Sequence, residues 1–449
     1  MQNFKRAFWT ALAVLVLLWL VAEPTVFQSA TFFALRGAMV QLSGIVAIGC
    51  MSVAMMLALR PRWPERWLGG LDKMYRLHKW LGIAALAAAI VHWLWAKGPK
   101  WAVGWGWLDP PVHGARPMLD NPIEAWLADQ RDVAEGLGEW AFYAAVILIA
   151  IALAPRIPYR TFFKTHRLLA VVFLVLVYHA TALLEFRNWM QPLGWLTAVL
   201  LACGSWAALV VLVRKVGAKQ QTQGTVQALE FFEGVKALLL EAEVPGWPGH
   251  KPGQFAFATS DAAEGAHPYT IASSWNAADP RIRFVIKELG DHTRLLRGQL
   301  QVGQALKIEG PYGCFTFDDG RARQIWIGGG IGITPFIGRM QHMATEQAAR
   351  DWPAGQQIDL FHSTTEVDQD ALDRLAAAAQ SADVRLHVLV DARDGRLTGE
   401  RLRATVHDWR DASIWFCGPA GFGEALKTDL AAHGYPVEER FQQELFSMR

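Results

Sequence analysis

Polar and apolar positions divide the chain into two halves that follow different rules. Up to about residue 220 apolar runs dominate, and six are long: about 7–22, 34–59, 78–96, 138–154, 165–185 and 193–213. Most approach the ~20 residues a helix needs to cross about 30 Å of hydrocarbon. They predict a six-helix transmembrane bundle. Beyond residue 222 the runs shorten. TVQALEFFEGVKALLLEAE alternates like strands, and PGQFAFAT and RIRFVIKEL are further strands between Gly and Pro. These predict a small antiparallel β-barrel. From 323 a strand, glycine-loop and helix pattern repeats: RQIWIGGGIGITPFIGRM, QQIDLFHSTTEVD, RLHVLVDAR, ASIWFCGPAGFGEAL. Strands alternating with helices predict an α/β domain with a parallel sheet. The fold class is a multi-domain membrane protein, with domains expected at 1–217, 218–321 and 322–449.

Two of the apolar helices carry a histidine at each end: His78 and His92 in one, His166 and His179 in the other. An unpaired polar group in lipid costs several kcal/mol. Four imidazoles at matched depths on two helices therefore need a partner, and haem iron takes neutral imidazole as an axial ligand. A step of 14 residues returns to within about 40° of its start and climbs ~21 Å. His78 and His92 thus share a face near opposite sides of the membrane. The second pair is 13 apart, about 220° on an ideal helix. It needs a bend, a twist or a broad ligand face. The competing reading is four interfacial residues that snorkel.

Charge gives the orientation. Lys5, Arg6, Arg60, Arg62, Arg66, Lys73, Arg76 and Lys79 fall on one side, joined by Arg156, Arg160, Lys164, Arg167, Arg214, Lys215 and Lys219. Intervening loops are acidic or mixed, with Asp109, Asp120, Glu124, Asp129, Asp132 and Glu135. The positive-inside rule puts the N-terminus and residues 214–449 in the cytoplasm, as in a bacterial-type inner or plasma membrane. The first run follows Lys5 and Arg6 and is read as a retained anchor, because VAEPTVFQSA is a poor cleavage site. Helices three and five then run the same way. His78 pairs with His166 at the inner depth, and His92 with His179 at the outer. Two haems follow, each held by two histidines. Such irons have no open position and pass electrons. Phe173, midway along helix five, is either bundle packing or a residue between the haems.

Composition adds limits. The net charge of +2 over 449 residues gives no sign of nucleic acid. Cys50, Cys203, Cys314 and Cys417 include no close pair, so neither a disulfide framework nor a zinc knuckle is expected. The 21 tryptophans crowd the first half, as an aromatic belt would. Residues 97–137 form a long outer loop with Trp101, Trp105, Trp107, Asp109, Pro110, Pro111, His113 and Arg116. It is either a lid over the outer haem or an interfacial tryptophan cluster.

Gly328-Gly329-Gly330-Ile331-Gly332-Ile333-Thr334-Pro335 follows a strand and opens a helix. Glycines let backbone approach a pyrophosphate, and the helix N-terminus supplies N–H donors. The alternative is an ordinary tight turn.

His267-Pro268-Tyr269-Thr270-Ile271-Ala272-Ser273-Ser274 resembles the flavin motif of the ferredoxin-reductase superfamily. EGPYGCF (309–315), GGGIGITP and Phe416-Cys417-Gly418-Pro419 follow in that superfamily's order. With the histidine helices in front, the chain resembles NADPH oxidases and ferric reductases. The resemblance implies FAD, NAD(P)H and two b haems. It implies that Tyr269 packs on the flavin, Thr270 bonds near its reactive nitrogen and His267 contacts its phosphate, with Ser273 in the same motif. It implies that Lys287 and the Gly290–Thr293 turn hold the pyrophosphate. Cys417, with Gly418 and Pro419, would lie near the nicotinamide. Phe446 would cover the flavin and yield to nicotinamide. Tyr269 and Phe446 also read as ordinary packing. Arg36 matches an arginine near the outer haem, or is an interfacial residue.

Two departures matter. Oxidases carry a further histidine one turn beyond the outer ligand, and here the position is Ala96, which argues against dedicated superoxide production. NADPH users place Arg after the second strand of the nucleotide domain, whereas this chain has Glu366, which leans toward NADH. The implied activity is electron transfer from cytoplasmic NAD(P)H through FAD and two haems to an acceptor outside: oxygen, ferric chelate, quinone or protein. One alternative is an electron-donor module for a periplasmic partner protein. Another is a transporter whose histidines bind metal ions.

Overall fold

The computed structural model describes residues 2–28, 31–111, 119–261, 264–345 and 356–444. Among these, six helical stretches are long and apolar enough to cross a membrane: α1 (Gln2–Ala22), α2 (Phe32–Ala58), α3 (Leu71–Gly104), α4 (Arg131–Leu153), α5 (Leu169–Leu183) with the turn before it, and α6 (Pro192–Leu212). The chain falls into two compact units. One holds Gln2–Pro64 and Lys73–Val216; the other holds Glu65–Asp72 and everything from Gly217.

In the helical unit, Leu15 and Trp19 of α1 pack with Ile45 of α2 and Leu193 of α6. Phe173 is fully buried with Ile48, Ala170, Leu201 and Ala208. A Cβ on Gly204 would stand 2.6 Å from its ring, so glycine admits it. Phe173 is therefore part of the bundle packing of α2, α5 and α6.

Two expectations about this half change. The 97–137 connection is mostly helix: α3 runs to Gly104, a helix spans Pro122–Asp129, and α4 begins at Arg131. The polar composition suggested loop, yet Asn121 caps the second helix by accepting from Ile123 and Glu124, and α3 continues through Pro99. His113 and Arg116 lie outside the described residues. The 13-residue spacing is eased by a break. A helix Tyr159–His166 ends at the histidine, and α5 starts at Leu169. Across the junction Leu168 N–H bonds Thr165 O, Ala170 bonds Arg167 O and Val171 bonds Leu168 O, at 3.0, 3.1 and 3.0 Å. These three-residue steps wind at about 120° per residue and take up roughly 60° of the mismatch.

In the other unit, β1 (Gln221–Phe232), β2 (Ala237–Glu243), β3 (Phe255–Thr259), β4 (His267–Thr270), β5 (Arg281–Lys287) and β6 (Ala305–Tyr312) form an antiparallel sheet ordered β4-β3-β6-β1-β2-β5. Its edges meet at one bridge, Ile271 to Phe284. Leu240, Ala242, Ala256, Ile282, Phe284 and Ile308 fill the interior. Helix α7 (Asp291–Gln299) follows β5. The second sheet is all parallel, ordered β11-β10-β7-β8-β9: β7 (Arg323–Gly329), β8 (Gln357–Thr364), β9 (Arg385–Val390), β10 (Ser413–Cys417) and β11 (Phe441–Glu444). α8 (Thr334–Met343), α9 (Gln369–Ser381) and α10 (Ala420–Ala432) are among the connections. Gly234 N–H donates to Asp368 (2.9 Å) and Arg374 grips Glu230 (2.8 Å), tying the two sheets together.

At the far ends of β7, β8 and β9, buried Asp359 accepts from Arg323 (2.5 Å), Arg385 (2.9 Å) and His387 (2.6 Å). Burial by itself would raise its pKa. The bonds from His387 and Arg323, with the charge of Arg385, outweigh burial and hold the carboxyl below its ordinary range. A depressed carboxyl stabilises the fold above its unfolded pKa, and that stability fades as pH falls through the folded one. Asp359→Asn is expected to cost about 3 kcal/mol at pH 7. The gap from wild type should narrow below about pH 4 in thermal melts of the purified chain. A gap independent of pH would contradict the assignment.

Candidate functional site

In the helical unit the four predicted histidines meet in the expected pairs. His78 and His166 rings lie 5.8 Å apart centre to centre, and His92 and His179 lie 6.1 Å apart. Backbone carbonyls fix three tautomers. His78 Nδ1 reaches Ala54 O at 2.8 Å, His92 Nδ1 reaches Val40 O at 2.9 Å, and His179 Nδ1 reaches Ala134 O at 2.8 Å. A carbonyl only accepts, so each Nδ1 carries the proton and each Nε2 keeps its lone pair. A ligating imidazole usually donates its other N–H in this way. His166 has no Nδ1 partner among the described residues and instead stacks on Phe162 at 5.0 Å. Facing imidazoles whose Nδ1 protons are held by carbonyls are a donor set suited to a metal.

Two glycines escaped the sequence reading. A Cβ on Gly138 would lie 2.0 Å from His179 Nδ1, and one on Gly44 would lie 3.2 Å from His92. Their signal was there, since small residues mark close approach in membrane helices, but no spacing pointed to a ring. Arg36 is placed on backbone: its guanidinium donates to Trp95 O (3.1 Å) and Ala96 O (3.0 Å).

In the other unit the predicted motifs converge. Parallel β7 and β10 end side by side, with Cys417 opposite Gly328. A Cβ on Gly332 would sit 2.1 Å from Cys417 O, and one on Gly329 would sit 3.0 Å from Pro419. The strand carboxyl ends of an α/β sheet are where ligands bind. Gly330 takes a φ of +55°, then Thr334 and Pro335 open α8, Thr334 bonding Ile331 O at 2.7 Å. Gly418 packs on Gly329. Gly338, unremarked in the sequence, lets α8 touch Ile271 O and the Ala272–Ser273 backbone. The flavin and glycine motifs are thus neighbours.

Thr270 is buried, and its hydroxyl has no protein partner among the described residues. A buried orphan donor fits a flavin edge. Tyr269 borders the core of the antiparallel sheet near Phe284 (6.1 Å). Pro268 pairs with Phe257 across the sheet. The Ser273 hydroxyl accepts from Arg283 N–H, and its carbonyl accepts from His250 Nε2 at 2.8 Å. His267 stacks on His292 at 3.7 Å and 8°. Burial first, then that neighbour, brings its pKa down to about 4, so the imidazole is neutral near pH 7. Thr293 accepts from Gly290 N–H at 3.1 Å and shapes the turn that begins α7. Burial, then Glu444, raises the Cys417 thiol, so it stays protonated. Buried Glu444 pairs with Cys417 across the sheet and was not anticipated. Phe446 lies outside the described residues. Lys287 and Glu366 are joined by an ion pair of 2.5 Å.

Residues 43–177 match the ferric reductase like transmembrane component, and residues 242–316 match an FAD-binding domain. The chain joins a ferric-reductase-like membrane domain to an FAD-binding module of the ferredoxin-reductase type. This fused reductase is an integral membrane oxidoreductase. It is similar to the reductase component of propane 2-monooxygenase from Mycolicibacterium smegmatis, 28% identical over 49% of this chain and 67% of that one. A flavohemoprotein of Oceanobacillus iheyensis is 26% identical over 32% of the chain and 36% of its own length. Respiratory burst oxidase homolog protein E of Arabidopsis thaliana is 29% identical over 40% of the chain and 21% of its own.

Proposed function

We propose that the fused reductase moves electrons from cytoplasmic NAD(P)H, through FAD and two bis-histidine b haems, to an acceptor outside. The facing imidazole pairs carry this reading. At the outer pair both rings bond a carbonyl through Nδ1 and keep an Nε2 lone pair, at the inner pair His78 does so, and an interfacial snorkelling residue has no reason for such a contact. When bound, flavin divides a two-electron donor into single-electron steps, and haem iron carries them. His78 and His166 would hold the inner haem, His92 and His179 the outer. Thr270, Tyr269 and His267 would hold flavin, and Phe446 would cover it. Gly328–Gly332 with Cys417, Gly418 and Pro419 would admit the nicotinamide. The basic flanks support a cytoplasmic reductase module, and the domains would run 1–217, 218–321 and 322–449. Ala96 at the oxidase histidine position favours ferric chelate over oxygen. Exposed Trp105 and Trp107 support a second reading, an electron-donor module for a periplasmic partner protein.

Turnover of the purified chain with NADH against ferric chelate, oxygen and quinone tests this. Ferric chelate reduction should be fastest and should need bound haem. Equal chelate reduction by haem-free protein would defeat the proposal.

The Lys287–Glu366 pair bears on nucleotide choice. The carboxylate would repel a 2′-phosphate, and Lys287 offsets part of its charge. The NADH preference should therefore be small. Glu366→Arg sets two cations at the strand end and should move the kcat/KM ratio toward NADPH by roughly tenfold, about 1.4 kcal/mol. A change under about twofold would remove Glu366 from the ribose.

A further inference from the structure

Pro99 sits inside α3, seven residues beyond His92. Proline has no N–H, and its ring crowds the carbonyl four residues back. That carbonyl is Trp95. A helical carbonyl left without its amide donor needs another partner. The structure supplies a donor from another helix. Arg36, in the second turn of α2, bonds Trp95 O through Nε at 3.1 Å and Ala96 O through a terminal nitrogen at 3.0 Å. The rigid guanidinium fork matches two successive carbonyls, which a lysine ammonium does not. One turn further along α2, Val40 O accepts from His92 Nδ1 at 2.9 Å. Two rungs therefore join α2 to α3, one at the proline break and one at the ligand itself.

We infer that Arg36 is a positioning residue for His92, acting by taking the place of the amide donor that Pro99 lacks. The inference rests on the haem reading and gives Arg36 a role distinct from contact with the haem. It predicts that the need for Arg36 depends on Pro99. Alanine in place of Pro99 restores an N–H four residues after Trp95, and the arginine then has less to do.

The test is a double-mutant cycle in the full chain, purified in detergent. Haem transfer to excess apomyoglobin, low-spin EPR of the outer haem and the thermal midpoint are read together. Arg36→Met should lose the outer haem up to roughly tenfold faster than wild type, less than loss of the ligand's own partner would cost, because Val40 O still holds His92. Its EPR signal should shift and its midpoint should fall. Arg36→Met with Pro99→Ala should return close to the single Pro99→Ala protein in all three. Arg36→Lys, which is gentler on folding, should lie between wild type and Arg36→Met. Equal losses from Arg36→Met with and without Pro99→Ala would overturn the inference and make the arginine a direct haem contact. An Arg36→Met protein indistinguishable from wild type would overturn it too. Wild-type protein lacking two haems would sink the haem reading alone. The thermal cycle then still decides whether Arg36 and Pro99 are coupled.

Discussion

His92→Ala should leave one haem per chain where the wild type has two. The mutation removes one of two facing nitrogens at the outer depth and leaves His78 and His166 untouched. Ring separations of 5.8 and 6.1 Å make the two sites alike, yet their supports differ. Both outer rings donate to carbonyls, whereas inner His166 leans on Phe162. Loss of a supporting contact alone costs 10- to 100-fold in metal affinity, so loss of a ligand should abolish outer binding. NADH-driven dye reduction at the flavin should be unchanged, because its residues lie in the other unit. Electron delivery to external ferric chelate should fall by roughly a hundredfold or more. Pyridine haemochrome analysis finding two haems in His92→Ala would refute the ligand assignment.

Gly138→Ala should expel the same haem while leaving all four histidines in the sequence. The added methyl would lie 2.0 Å from His179 Nδ1, inside any van der Waals contact, and the ring would have to leave the carbonyl of Ala134. Gly44→Ala is milder. Its methyl meets His92 at 3.2 Å, a clash that a few tenths of an ångström relieves. The expected series is loss of the outer haem in the first variant and retention with a shifted spectrum in the second. Equal behaviour of the two would mean that these rings do not face α4 and α2 as described.

The sequence shows the fold class and brings the candidate site residues into view, for physical reasons. Lipid demands long apolar helices, and a parallel sheet demands its strand, glycine and helix rhythm, so both patterns are loud. The four histidines stood out because imidazole is costly in hydrocarbon. Contacts between distant segments were silent. The Gly138 and Gly44 clearances depend on where a ring from another helix arrives. The junction after His166 depends on three local bonds that no spacing rule reveals. Polar residues after Trp95 suggested a loop because the donor that sustains helix through Pro99 comes from Arg36, some sixty positions earlier. Glu366 looked like a free carboxylate because Lys287, its partner, lies on a strand of the other sheet.

The most direct measurement is anaerobic rapid mixing of the purified chain with NADH, following flavin and haem absorbance together. Flavin should bleach first and both haems should then turn ferrous, with His92→Ala showing one. Flavin that bleaches while haem stays ferric, in protein whose haem dithionite readily reduces, would contradict the proposed electron path.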